Sequence, residues 1–430
     1  MYRKFIKKLQ QWESEKIKEP LLVIGARQVG KTWLIKEFCK ETYPDYVYIN
    51  FEEREDYASA FENSLSPKDI LKTLGILSDR KITESTALFF DEIQLCERAI
   101  TALKYFCEAE ENYRVICAGS LLGVKLSRFQ SSFPVGKVDI KYMYPLDFEE
   151  FLIASEDEDL RDMISEHYIS MSPMPEGVHT KALRRYHDYL FIGGMPKMVD
   201  TYIKTKDVMN VPTELFENLR MAYLADMSKH VKSAAETLKI SEVYNSIPRQ
   251  LAKENPKFKY NEIKKTANKR DYYSAIDWLV AAGMVIKVNN VENIATPLKG
   301  YENTDCFKLY ISDSGLLSNL CRLKMSDIIS SEHNIYKGAV IENYVVSQLK
   351  ASGKSFYYYK PSDSMEIDIV LDEAEGIVPC EIKSGRHNKS TSLKKYMETY
   401  TPQKAVRLSE LNYRQTEILN SIPLYAAYCI

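Results

Sequence analysis

From residue 1 to about 150, short apolar runs alternate with amphipathic stretches. The runs at 21–24, 47–51, 87–90, 115–118 and 138–143 each predict a strand. Most are apolar throughout, as expected of strands covered on both faces in a parallel sheet. Amphipathic helices fill the gaps. One is opened by Ser66-Pro67, a capping residue followed by proline at the first helical position. Strands alternating with helices predict an α/β domain with a parallel sheet over residues 1–150.

At Asp147 the pattern changes. Asp147 and Glu150 predict a helix start with a carboxylate in its first turn, and strand-like runs vanish until about residue 284. Residues 151–235 therefore read as a helical subdomain, broken at 171–178 and at Gly193-Gly194-Met195-Pro196. Helices are then predicted near 236–252, 260–269 and 271–284, the last carrying the apolar stripe Tyr273, Ile276, Val280 and Met284. Strands follow at 284–289 and 307–312, which outlines a winged helix-turn-helix over residues 236–325. Residues 326–430 predict a helix over 332–349, strands at 355–359, 366–371 and 376–382, and a further helix from about 392. No internal repeat, low-complexity tract or clear linker interrupts the four segments, which are expected to pack together.

Composition narrows the class. With 45% hydrophobic and 27% charged residues among 430, and only 32 Gly plus Pro, the chain has the balance of an ordinary soluble globular protein. Lys and Arg number 58 against 60 Asp and Glu, so the net charge of −2 excludes a simple polycation that coats nucleic acid or an anionic membrane. The eight cysteines include no CxxC pair and are too sparse for a disulfide framework, which points to free thiols in a reducing compartment. The six histidines are scattered, so no zinc constellation stands out. The basic, amphipathic start lacks a signal peptide's apolar core. The longest apolar run, 278–286, is half of the roughly 18 residues a membrane helix needs. A cytoplasmic protein without membrane association is expected.

Residues Gly25-Ala26-Arg27-Gln28-Val29-Gly30-Lys31-Thr32 fit GxxxxGKT between an apolar strand and an amphipathic helix. Gly25 and Gly30 let the backbone curl until its N–H groups face phosphate oxygens. Lys31 supplies charge for the β/γ-phosphates, Thr32 offers a hydroxyl to Mg²⁺, and the helix start presents its positive end to the same anion. The strand run at 87–90 ends in Asp91-Glu92. A carboxylate there holds the Mg²⁺ water shell, and Glu92 is placed to orient or deprotonate an attacking water. ATP and Mg²⁺ are the expected cofactors. Ser120, after the run at 115–118, is the candidate sensor of the γ-phosphate. Arg54 and Arg128 are open candidates for an arginine finger.

The pair GARQVGKT and LFFDEIQ resembles bacterial and archaeal AAA-type ATPases that carry a C-terminal domain of unknown function. Further matches are Tyr189-Leu190-Phe191-Ile192-Gly193-Gly194-Met195-Pro196, Phe307-Lys308-Leu309-Tyr310-Ile311-Ser312-Asp313 and Gly338-Ala339-Val340-Ile341-Glu342-Asn343. The resemblance spans nearly the whole chain. It implies an ATPase core, a winged-helix-like middle and a nuclease-like C-terminus. Members often show Gly-Arg where this chain has Gly136-Lys137, which weakens any arginine role there.

In 365–371 and 380–383, charged and apolar residues alternate. With a side-chain period of two, Glu366 and Asp368 share one strand face, and Glu381 and Lys383 share another. A turn at 372–376 folds the two strands into a hairpin that brings Asp368 near Glu381 and Lys383, with Glu342 on the preceding helix. This set is similar to the PD-(D/E)xK nuclease core, where carboxylates bind Mg²⁺ and the lysine helps activate a water. Glu342, Asp368 and Glu381 are thus candidate metal ligands, and Asp368, Glu381 and Lys383 candidate catalytic residues.

Between Arg249 and Asp271 eight basic residues face three acidic ones, a local +5, with Phe258, Tyr260, Tyr272 and Tyr273 interleaved. The segment is a candidate contact for DNA or RNA backbone, against a solvated face of lysines as the plainer reading. The expected protein is an AAA-type ATPase coupled to nucleic-acid binding or cleavage. The alternative is a nucleotide-gated switch for protein partners with a degenerate, non-cleaving nuclease-like domain. The oligomeric state is left open.

Overall fold

The computed structural model describes residues 1–15, 19–120, 134, 136–231, 233–253, 255–330, 334–362, 365–384 and 391–430. Arg128, Glu254 and positions 332–333 of the predicted helix lie outside the described residues. The chain divides into two compact units. One is Arg3–Tyr144 and the other is chiefly Pro145–Val280 with Met284–Ile430.

The first unit opens with helix α1 (Phe5–Ser14), which buries Phe5, Leu9 and Trp12 on one face, and Trp12 Nε1 donates to the Glu19 carbonyl at 2.8 Å. Then come β1 (Leu21–Ile24), α2 (Lys31–Thr42), β2 (Tyr46–Asn50), α3 (Pro67–Leu77), β3 (Ala87–Asp91), α4 (Glu97–Glu108), β4 (Val115–Gly119) and β5 (Asp139–Tyr142). The strands lie in the order β2-β3-β4-β1-β5, every pairing parallel. The strands β1, β3 and β4 are buried along their whole length, which explains why their sequences do not alternate. A phenylalanine cluster of Phe51, Phe61, Phe90 and Phe106 packs between the sheet and α3 and α4. Each such side chain contributes about 1.5–3 kcal/mol by leaving water.

In the second unit α5 (Phe148–Ala154) starts with a capping box. Asp147 accepts from the Glu150 N–H at 2.9 Å, and Glu150 accepts from the Asp147 N–H at 3.2 Å. Such a cap contributes about 1 kcal/mol. Helices α6 (Glu158–Ser170), α7 (Glu176–Ile192), α8 (Pro196–Thr205), α9 (Thr213–His230), α10 (Ala234–Leu251) and α11 (Lys269–Ala281) follow. The predicted helix over 260–269 is absent. Tyr260–Glu262 forms one 3-10 turn, and the segment before it is tied down instead. The Phe258 N–H donates to the Phe307 carbonyl at 2.8 Å and the Lys259 N–H to Gln250 at 2.7 Å. The polar run from Lys264 to Asn268 has no apolar stripe to hold a helix against a core.

Next come β6 (Val285–Val291), β7 (Glu302–Ile311), α12 (Ser314–Leu320), α13 (Met325–Ile329), α14 (Ile335–Ala351), β8 (Phe356–Ser362), β9 (Met365–Glu373), β10 (Gly376–Ile382), α15 (Thr391–Tyr400), β11 (Ala405–Ser409), β12 (Arg414–Gln415) and β13 (Leu419–Pro423). All eight strands form one mixed sheet, β12-β13-β11-β10-β9-β8-β6-β7. The β6–β7 hairpin therefore does not stand alone, because β6 pairs in parallel with β8.

The three motifs behind the resemblance meet here. Asp313, 2% exposed, accepts from the Gly194 N–H at 2.6 Å and from the Leu316 N–H at 2.9 Å, capping α12. Asn343 clasps Ile311 from both sides, accepting its N–H at 2.8 Å and donating to its carbonyl at 2.9 Å. A Cβ on Gly194 would stand 1.9 Å from the Leu146 carbonyl oxygen, and one on Gly315 would stand 2.3 Å from that of Ile192. Glycine is required at both places because backbones touch. These motif residues hold helices together.

Candidate functional site

In the first unit the loop after β1 curls back before α2. Gln28 and Gly30 both take left-handed backbone, with φ of 63° and 95°. Gly25 is needed for space, since a Cβ there would lie 2.2 Å from the Met143 carbonyl oxygen. Lys31 Nζ arches over the loop and donates to the Gly25 and Ala26 carbonyls at 2.8 and 2.9 Å. Its charge is thereby held at the mouth of the loop. Arg3, buried, donates to the Val29 carbonyl and to that of Tyr144, both at 2.6 Å. It braces the loop from far away in sequence. Its signal was a lone arginine among the polar residues of α1's approach, which nothing local distinguishes.

Asp91 ends β3, 2% exposed. Thr32 Oγ1 donates to Asp91 Oδ2 at 2.8 Å, and the Tyr48 hydroxyl donates to the same oxygen at 3.0 Å. The other oxygen accepts the Glu92 N–H at 3.1 Å. Asn50 Nδ2 supports the Tyr48 hydroxyl at 3.0 Å, and Lys36 Nζ lies 3.4 Å from the centre of the Tyr48 ring. Burial first, and then the Asp91 charge, pushes the Tyr48 phenol up, so it stays a donor. A hydroxyl and a carboxylate in contact are the donor set Mg²⁺ takes in such sites, with water and phosphate completing its shell. The residues present fit that ion.

Glu92 stands at φ 50° and ψ 39°, left-handed for a residue with a Cβ. That conformation costs on the order of 1–2 kcal/mol and sets Glu92 beside Asp91 at the strand end. Gln94, 1% exposed, donates to the Glu92 carboxylate. Ser120 is 2% exposed and its hydroxyl has no partner among the described residues. Of the arginine-finger candidates, Arg54 is paired with Asp56, its Nε donating at 3.1 Å, and Arg128 lies outside the described residues.

The second unit holds a carboxylate pocket of about 660 Å³. Asp368 and Glu381 meet across the β9–β10 hairpin, whose register pairs Ile369 with Cys380. The Ile382 N–H donates to Asp368 Oδ2 at 2.8 Å, and Lys383 Nζ pairs with Glu381 Oε1 at 2.6 Å. Glu381 is 4% exposed and its Oε2 has no partner among the described residues. Burial first, and then Glu342, pushes the Asp368 carboxyl up to about 7. Glu342 is occupied. Its Oε1 accepts from Lys308 Nζ at 3.0 Å and from the Tyr310 hydroxyl at 2.5 Å. The expected three-carboxylate ligand set is not assembled, and the described residues include no group of three or more His, Cys, Asp or Glu arranged to hold a metal. The Lys308 ammonium instead takes one oxygen of Glu342 and, at 2.8 Å, one oxygen of Glu366. The sequence reading missed Lys308 and Tyr310. Their signal was present in β7, where they alternate with Phe307, Leu309 and Ile311 and so share one face.

The basic segment is partly neutralised. Lys253 pairs with Glu262 at 2.6 Å, Lys269 with Asp305 at 2.5 Å and Lys264 with Glu242 at 4.0 Å. Its first part reaches the carboxylate pocket, whose lining includes Leu251, Lys253 and Pro256.

Residues 18–152 match the family model of an AAA domain. Residues 183–327 and 337–427 match two domains of unknown function, DUF8612 and DUF4143. No curated protein matches the chain. Among solved structures, the Walker-type ATPase of Pyrococcus abyssi is 16% identical, with 74% of this chain and 94% of that one covered and a TM-score of 0.45. The ORC1 protein of Aeropyrum pernix in complex with DNA is 13% identical, covering 76% and 93%, with a TM-score of 0.30. AMPPCP-bound DnaA from Aquifex aeolicus is 16% identical, covering 64% and 84%, with a TM-score of 0.27. The loop, the Thr32–Asp91 contact and the family match together define an AAA-type P-loop ATPase domain in the first unit. No described helix is long and apolar enough to cross a membrane.

Proposed function

We propose that the chain hydrolyses ATP with Mg²⁺ at the first unit and couples that cycle to nucleic-acid binding or cleavage at the second. The observation carrying the ATPase part is the contact of Thr32 with Asp91, next to Glu92 on its left-handed backbone. On this reading the loop 25–32 binds the phosphates and Lys31 swings from the loop carbonyls to the β/γ-phosphates. Thr32 and Asp91 would hold Mg²⁺, which would supply charge neutralisation for the phosphates. Glu92 takes the proton of the attacking water, Gln94 orients it, and Ser120 meets the γ-phosphate. General-base removal costs about 10²–10⁴-fold. Glu92→Gln is therefore expected to lose at least a hundredfold in kcat with ATP affinity kept. Unchanged turnover would refute the assignment of Glu92.

The nucleic-acid part is supported by the pocket lining, in which carboxylates lie beside Lys253 and Lys383. Asp368 and Glu381 would hold a divalent ion that polarises a phosphodiester, and Lys383, paired with Glu381, would help deprotonate the attacking water. The helices α10 and α11 with the β6–β7 hairpin would serve as a winged-helix-like unit, its middle helix reduced to one turn. The test is Mg²⁺- or Mn²⁺-dependent nicking of DNA and RNA, abolished by Asp368→Ala. The switch reading, with protein partners and no cleavage, is favoured by one observation, the engagement of Glu342 by Lys308. Absence of nicking with intact ATP turnover would select it.

A further inference from the structure

We infer that Lys308 is a built-in cation of the carboxylate pocket, taking the place of a second divalent ion, so that the pocket binds one ion shared by Asp368 and Glu381. This rests on the metal-binding reading above and concerns how many ions that site holds. Four carboxylates line the pocket, on Glu342, Glu366, Asp368 and Glu381. Like charges that close cannot all stay ionised without cations among them.

Lys308 is 1% exposed on β7, and its ammonium touches Glu342 Oε1 at 3.0 Å and Glu366 Oε1 at 2.8 Å. It also lies 5.0 Å from the centre of the Tyr358 ring. Lys360 takes the second oxygen of Glu366 at 2.9 Å, so neither Glu366 oxygen is left for a metal. The remaining carboxylates differ. Asp368 gives one oxygen to a backbone N–H, and Glu381, buried, keeps Oε2 without a partner among the described residues. An unpartnered carboxylate oxygen in a buried pocket calls for a cation.

Two-metal sites place their ions about 3.5–4 Å apart with carboxylates serving both. Here the carbon-tethered ammonium serves Glu342 and Glu366. It neutralises charge without coordinating, cannot be chelated away, and leaves Asp368 and Glu381 as the remaining donors. A divalent ion there would take one or two carboxylates plus water and a phosphodiester oxygen, as Mg²⁺ commonly does.

The test is Mn²⁺ titration by electron spin resonance on the full chain carrying Asp91→Asn, which removes the nucleotide-site carboxylate. One Mn²⁺ per chain is expected, lost on Asp368→Asn. Adding Lys308→Met should raise the count to two. Circular dichroism checks that this variant folds. If it does not, Glu366→Gln decides, because a partner of Lys308 that is no ligand should leave the single ion bound. Two ions with Lys308 intact, loss of the ion in Glu366→Gln, or a folded Lys308→Met chain that still binds one would overturn the inference alone. A chain that binds no Mn²⁺ with Lys308 intact would overturn the metal-binding reading as well.

Discussion

Asp313→Asn should change the pH dependence of the second unit's stability in a defined direction. Asp313 is buried, caps α12 and receives the Gly194 and Leu316 N–H groups. Burial raises its carboxyl to about 6 from an ordinary 3.8, and the backbone donors counter it only in part. A raised carboxylate is protonated more tightly in the folded chain than in the unfolded one. Its contribution to stability is therefore complete below about pH 4 and is lost as pH rises through about 6. Two pKa units correspond to about 3 kcal/mol. Asparagine cannot ionise, so it removes this dependence. It also turns an N–H toward one backbone N–H, which costs on the order of 1–3 kcal/mol at any pH. Hydrogen exchange of peptides covering 189–196 and 311–320, corrected for intrinsic rates, reads the local opening. The protection advantage of the wild-type chain should shrink by roughly a hundredfold between pH 4 and pH 7. An advantage independent of pH would refute the reasoning.

Gly25→Ala places a methyl 2.2 Å from the Met143 carbonyl oxygen, so ATP binding measured by equilibrium dialysis should be lost with the second unit still folded. Tyr48→Phe deletes a hydroxyl bond to a carboxylate, worth about 1.5–3 kcal/mol. Apparent Mg²⁺ affinity in the ATPase assay should fall by roughly tenfold or more, and an unchanged Mg²⁺ dependence would remove Tyr48 from the site. Lys264→Glu with Lys265→Glu should weaken duplex DNA binding and flatten its salt dependence by about two log units of slope. Affinity insensitive to salt would dismiss the basic segment as a nucleic-acid contact.

Much of the nucleotide site was legible because its chemistry is local. Loop 25–32 and residues 91–92 are contiguous runs between strands, and the strands announced themselves as apolar stretches. The second site was half legible. Period-two alternation put Asp368 opposite Glu381 on neighbouring strands, and the register agrees. What escaped were partners distant in sequence. Arg3 under Val29, Tyr48 on Asp91 and Lys308 between Glu342 and Glu366 carry no mark in their own neighbourhoods except, for Lys308, the strand alternation. The absent helix at 260–269 has a related cause. Glu, Lys and Ala there suit a helix locally, but no apolar stripe holds one against the core, and Gln250 and Phe307 tie down the backbone that precedes it.

The sequence by itself determined the parallel α/β unit, the phosphate loop with its acidic pair, and the hairpin that carries Asp368 and Glu381. Each follows from residues close enough in the chain for periodicity and turn chemistry to bring them together. Tertiary structure alone decided that the glycine and aspartate motifs meet as a structural junction, and that the β6–β7 hairpin joins the larger sheet. It also decided which carboxylates remain for a metal. Pairing in a buried pocket depends on which charges arrive there, and Lys308 comes from a strand 34 residues before Glu342 to claim it.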